Sequence, residues 1–139
     1  MGQILIVDDD ASFLNLLASI VEDNYPHLKV TTCLNPLQAL NLISKGGLDL
    51  LVLDLEMPEL DGAKLFRFAV DGGFDPKRIV ILSGRESDFL HSHFPLGTCL
   101  AVLNKFEVKQ KAVLEMIFSS LERKAAAREE IEKKNRVTR

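Results

Sequence analysis

Uninterrupted aliphatic blocks at residues 4–7, 50–53 and 79–82 set the frame of this chain. Apolar runs of this length suit strands buried on both faces, as in a parallel sheet. A β-branched stretch at 30–33 and an apolar one at 99–103 add two more expected strands, and the middle strand is read as 49–54. Between them the apolar spacing turns helical. Residues 11–23 carry apolar positions 13, 14, 17, 18, 20 and 21. Asn35 and Pro36 begin a second helix, with Leu37, Leu40, Leu42 and Ile43 as its expected inner face. Gly62 precedes a third helix with Leu65, Phe66, Phe68 and Ala69, a weaker segment is expected over 87–93, and a last helix starts near Glu107. Val108, Val113, Leu114, Ile117, Phe118 and Leu121 are expected to face the core from that last helix. Five strands alternating with helices predict an α/β fold with right-handed crossovers and helices on both faces. The usual arrangement is a doubly wound five-stranded parallel sheet in the flavodoxin-like order 2-1-3-4-5, which binds ligands at its switch point between strands 1 and 3.

Each aliphatic block ends on chemistry. The first runs into Asp8, Asp9 and Asp10, the middle one into Asp54, the fourth strand into Ser83, and the fifth leads to Lys105. In a parallel sheet all these ends share one edge. Three converging carboxylates repel one another and need a cation. Hard oxygen ligands open to solvent suit Mg²⁺, which favours a phosphate partner. A carboxylate can also attack phosphorus and form an acyl phosphate. Ser83 offers a hydroxyl donor and Lys105 a point charge for the phosphoryl oxygens. Taken singly, a strand-end Asp is usually a helix cap and a strand-end Ser a turn residue. Five such groups at one edge are not explained by capping, and together they describe a phosphoryl-accepting site. Asp10 is the exception and is read as a cap.

With 139 residues, the chain is long enough for a single domain with a sizeable core. The net charge of −3 is uneven: residues 1–121 hold 10 Lys/Arg against 16 Asp/Glu, and residues 122–139 hold 7 against 4. The acidic body gives no reason to expect nucleic-acid binding. The basic end reads as a solvated helix continuing the last one, with Glu129–Lys133, Glu130–Lys134 and Glu132–Arg136 as i,i+4 pairs. The division is therefore a domain over 1–121 and a charged extension over 122–139, a linker or signalling helix. Leu114, Ile117, Leu121, Ala125, Arg128 and Ile131 trace a partial heptad seam there. Cys33 and Cys99 lack metal-ligand spacing and read as buried free thiols. His27, His91 and His93 read as surface residues. No apolar run reaches 18 residues, so no membrane contact is expected and a cytoplasmic location is.

The motifs Ile4-Leu5-Ile6-Val7-Asp8-Asp9, Asp54-Leu55-Glu56-Met57-Pro58-Glu59-Leu60-Asp61-Gly62, Ser83-Gly84 and Lys105 resemble those of response regulator receiver domains of two-component signalling. The resemblance covers residues 3 to about 122. It implies that Asp54 accepts a phosphoryl group from a histidine kinase or phosphotransfer protein. It also implies that Mg²⁺ is ligated by Asp9, Asp54 and the backbone carbonyl of Glu56, with Asp8 acting through water. Ser83 and Lys105 would bind the phosphoryl group. The fourth-strand loop, the helix after it and the last strand and helix would then shift. An output domain, or a second copy through the last helix, would read that shift. Self-phosphorylation and self-dephosphorylation are the only chemistry expected, so the chain reads as a switch rather than an enzyme. Two positions depart from the family pattern. Val102 stands where Tyr or Phe is common, and Phe106 follows the lysine where Pro is common. Without proline a cis bond costs roughly 2.5–4 kcal/mol, so a trans bond or a strained exception is expected there. Glu56 and Arg85 flank the reaction path and can pair across it. The competing readings are a phosphatase using Asp54 as a transient nucleophile and a phosphate-independent interaction module.

Overall fold

The computed structural model describes residues 1–58, 60–84, 94 and 97–137. Five parallel strands, β1 (Gly2–Val7), β2 (Leu28–Cys33), β3 (Leu50–Asp54), β4 (Ile79–Ser83) and β5 (Ala101–Asn104), form one sheet in the order β2-β1-β3-β4-β5. Among the described residues the helices are α1 (Ala11–Asn24), α2 (Pro36–Ser44), α3 (Gly62–Asp71) and α4 (Val108–Val137), with a 3-10 turn at Pro76–Arg78. The predicted fold class and strand order are those observed.

Strand alternation divides the aliphatic blocks between two cores. Leu5, Val7, Leu51, Leu53, Ile79 and Ile81 pack with Ala39 and Ile43 of α2 and Leu65 and Ala69 of α3. Ile4, Ile6, Leu50, Val52, Val80 and Leu82 pack on the other face with Leu14, Leu17 and Val21 of α1 and Leu114 and Phe118 of α4. A central strand flanked on both faces has no position left for a polar residue, which is why these segments read as unbroken apolar runs.

The helix starts follow the predicted capping. Asp10 Oδ1 accepts from Phe13 N at 3.2 Å, and Asn35 Oδ1 accepts from Leu37 N at 2.8 Å with Pro36 at the first helical position. Several expectations need correction. Leu37 is 52% exposed, because the face α2 turns inward follows Pro36, Ala39 and Ile43 at helical spacing. Phe68 on α3 is 42% exposed for the same reason, lying off the line through Leu65 and Ala69. Val108 is 86% exposed, in the first turn of α4 ahead of its buried positions, and Val113 is 37% exposed, lying off the line through Leu114, Phe118 and Ala125. Strand β2 starts at Leu28 rather than 30, and β5 begins two residues later than expected. The helix expected over 87–93, with His91, His93 and Arg85, lies outside the described residues.

The extension is one helix with the body. Within α4, Ala125 is only 1% exposed and belongs to the same core as Ile4 and Leu28. Glu122 carboxylate oxygens accept from His27 N and lie 3.0 Å from its Nδ1, and Glu129 Oε1 is 2.9 Å from the N-terminal ammonium. His27 is therefore partly covered and engaged by the helix.

Candidate phosphoryl-accepting site

The register carries the strand ends to a common rim. Val7 pairs with Leu53, Asp54 with Leu82 and Ser83 with Asn104. The ladder continues beyond the strands through Leu55 N to Leu82 O at 2.8 Å and Lys105 N to Ser83 O at 2.9 Å. Among the described residues Asp8, Asp54 and Ser83 are the buried polar ones, at 0%, 2% and 0% exposure, while Asp9 is exposed.

One carboxylate oxygen from each of Asp8, Asp9 and Asp54 lies within 4.8 Å of the others. Lys105 Nζ reaches between the two buried acids, 2.6 Å from Asp8 Oδ2 and 3.3 Å from Asp54 Oδ1. Its ammonium also stands 4.9 Å from the centre of the Phe13 ring, so α1 contributes an aromatic face to the site. Backbone donors fix the acids: Asp10 N donates to Asp8 Oδ1 at 2.9 Å and Glu56 N to Asp54 Oδ1 at 3.2 Å. Burial, then the neighbouring Asp8, push the Asp54 carboxyl up from the ordinary 3.8 to about 8, against the pull of Lys105. Burial works to lower the Lys105 ammonium, but its contacts with Asp8 and Asp54 outweigh that and hold it above its ordinary value.

With Asp54 ionised, three carboxylates face one ammonium, so the cluster carries uncompensated negative charge in a partly dry site. That imbalance and the all-oxygen donor set fit a hard divalent cation such as Mg²⁺. Ser83 Oγ donates to Glu56 Oε1 at 2.6 Å. The hydroxyl thus meets a carboxylate carried two places beyond Asp54. Asp61 and Gly62, in the same motif as Asp54, are architectural. Asp61 Oδ1 caps α3 through Lys64 N at 2.8 Å. A Cβ at position 62 would strike the Asp54 carbonyl and come within 2.7 Å of Leu55 Cα, so only glycine lets α3 approach the end of β3 this closely. Beyond Lys105 the described peptide bonds are all trans, and the Phe106 ring lies against Gly84.

The sequence profile of the response regulator receiver domain matches residues 4–118. The chain belongs to this family. Its relatives include the cyclic di-GMP phosphodiesterase response regulator RpfG of Xanthomonas campestris, 44% identical over 64 residues, which are 46% of this chain and 17% of that protein. The heme response regulator HssR of Staphylococcus aureus is 32% identical over 115 residues, 79% of this chain and 48% of that protein. This receiver chain thus matches less than half the length of either relative. Among solved structures, the receiver domain of the Francisella response regulator 1452 superposes with a TM-score of 0.73 at 23% identity, covering 89% of this chain and 98% of its own. At that identity the likeness concerns the fold.

The five residues singled out from the strand ends, Asp8, Asp9, Asp54, Ser83 and Lys105, share the rim, and Asp10 caps α1. Two contacts were not legible in the sequence. The Glu56 side chain engages Ser83 across 27 positions, and Phe13 approaches Lys105 across 92; only the placement of Phe13 in the first turn after the acids hinted at it.

Proposed function

We propose that this receiver chain is a phosphoacceptor switch in which Asp54 takes a phosphoryl group from a phosphohistidine on a histidine kinase or phosphotransfer protein. The observation that carries this reading is the buried Asp54 carboxylate, held beside Asp8 and Asp9 within 4.8 Å and 3.3 Å from Lys105. Asp9, Asp54 and the Glu56 backbone carbonyl would hold Mg²⁺, with Asp8 reaching it through water. The ion would offset the negative charge shared by acceptor and phosphoryl group. An Asp54 oxygen forms the new O–P bond while the donor's P–N bond breaks and the imidazole nitrogen keeps the electron pair. Lys105 moves from the Asp54 oxygen to the phosphoryl oxygens, and Ser83 exchanges its bond to Glu56 for one to the new group. That exchange draws the β4 end toward Asp54 and passes the event to the surface formed by β5 and α4. Water attack on the acyl phosphate restores Asp54, so no other substrate turns over. An output domain or a second copy would read the change through α4, in the cytoplasm.

Acetyl phosphate with Mg²⁺ tests the reading by intact mass. Wild type should gain a single phosphoryl group and Asp54→Asn none. Equal labelling of the two proteins, or none of wild type, would sink it. A second reading, an aspartyl-phosphate phosphatase, draws on the Glu56 carboxylate placed two positions after Asp54 and already in contact with Ser83. Sustained release of phosphate from a simple ester would favour it, and labelling that stops at one group per chain would exclude it.

A further inference from the structure

The opposite edge of the sheet carries a second feature. A cavity of about 560 Å³ opens there between α4, the 3-10 turn and the chain entering β5. Its volume falls within the usual range for small-molecule sites. Lys77 and Arg78 line it from the turn, and Lys124 and Arg128 from α4. Among the described residues Asp49 is the one carboxylate in the lining, and its Oδ2 already accepts from Gln3 N at 2.8 Å. These cations gather on a body whose first 121 residues hold 16 acids against 10 bases.

Lys124 and Arg128 are four residues apart on one helix face, where like charges repel. The turn adds two more cations across the gap, so two separate elements bring positive charge together. Lys77 Nζ uses one hydrogen on the Gly97 carbonyl at 3.0 Å, and Arg128 Nη1 is a long 3.5 Å from Asp49 Oδ1. Among the described residues Arg78 and Lys124 side chains have neither ion pair nor hydrogen bond. The floor between the cations is apolar, formed by Leu50, Ile117, Leu121 and Leu100, the last 43% exposed. A bare anion would satisfy the charges and leave this floor wet. A flat ring joined to phosphates satisfies both.

We propose that this cavity binds a nucleoside phosphate, the base on the Leu100–Ile117 floor and the phosphates between Arg78 and Lys124. Bound there, the ligand would clamp α4 to the turn before β4. The assignment is independent of the role of Asp54. Isothermal titration of the full chain with ADP tests it, in EDTA so that no divalent cation occupies the acidic cluster. ADP should bind, more weakly as salt rises, with adenosine and inorganic phosphate each at least about tenfold weaker. Arg78→Gln with Lys124→Gln should weaken ADP at least about tenfold without altering the thermal melt, as both side chains are exposed. Asp54→Asn should bind ADP as wild type does. Absence of binding at about 1 mM ADP, equal affinity in the double variant, or phosphate binding as tightly as ADP would overturn the proposal. Polyglutamate binding where ADP does not would overturn it in favour of an acidic protein partner.

Discussion

Ser83 Oγ donates to Glu56 Oε1 at 2.6 Å, which ties the hydroxyl at the end of β4 to a carboxylate just beyond β3. The group expected to receive phosphoryl oxygens is thus engaged by a negative charge before any phosphoryl group arrives. If, as proposed, Ser83 exchanges this bond for one to the phosphoryl group, Glu56 should act as a brake on labelling. Glu56→Ala should speed labelling of Asp54 by acetyl phosphate about two- to tenfold, the range given by one hydrogen bond of about 0.5–1.5 kcal/mol. Time-resolved intact mass spectrometry measures it. Slower labelling in the variant would show that the carboxylate assists the transfer.

Lys105 is 11% exposed and holds two buried acids at once. Lys105→Met keeps the bulk of the side chain and leaves Asp8 buried without its ion pair. Stability in urea, without metal, should fall by about 3–5 kcal/mol. Removing a cation from the cluster should also raise Mg²⁺ affinity several-fold, since the ion no longer meets a like charge. A variant both as stable as wild type and no tighter for Mg²⁺ would deny Lys105 its central place.

Asp54 has a folded-state value raised from 3.8 to about 8, which fixes the sign of two pH effects. A raised carboxyl contributes stability that is fully present below its unfolded value and is lost as pH rises through the folded one. The metal-free protein should therefore weaken between about pH 4 and pH 8, and Asp54→Asn should flatten that slope and be the more stable protein at pH 8. Mg²⁺ must displace the proton, so its apparent affinity should fall as pH drops below about 8, with close to one proton released per ion at pH 7. Calorimetry in buffers of different ionisation enthalpy reads the proton count. Mg²⁺ binding with no proton release would contradict the burial of this carboxyl.

The sheet and its polar rim were legible because they rest on one signal. Ile4 to Val7, Leu50 to Leu53 and Ile79 to Leu82 have no room for polar atoms, so the first polar residue after each must sit at the edge. Side-chain partnerships were less legible. Nothing local joins Glu56 to Ser83, and nothing separates Leu37 from Leu40 except which face of α2 meets the sheet. The docking of α4 was hidden by its smallness. Ala125 carries little hydrophobic signal, and it packs beside Gly2, where an added Cβ would lie 3.5 Å from the Ala125 Cβ and clash with Leu28 Cδ2 at 2.7 Å. Glu129 was expected to pair with Lys133 along the helix; its carboxylate instead meets the N-terminal ammonium, which lowers its pKa, and lies 3.6 Å from His27.

That docking makes the extension part of the folded body as far as residue 129, and two alanines two positions apart test it. Ala125 is 1% exposed against β1 and β2, whereas Ala127 is exposed. Both changes to Asp carry the same helix-propensity penalty, about 0.5 kcal/mol. Only Ala125→Asp also forces a carboxylate into the apolar seam beside Gly2 and Leu28, which should bring its total to about 2–4 kcal/mol. Urea unfolding of the two variants separates the terms, because the shared propensity cost cancels in their difference. Equal, small losses would mean that α4 leaves the sheet before residue 125 and that the contacts of Glu122 and Glu129 with His27 and the N-terminus do not persist in solution.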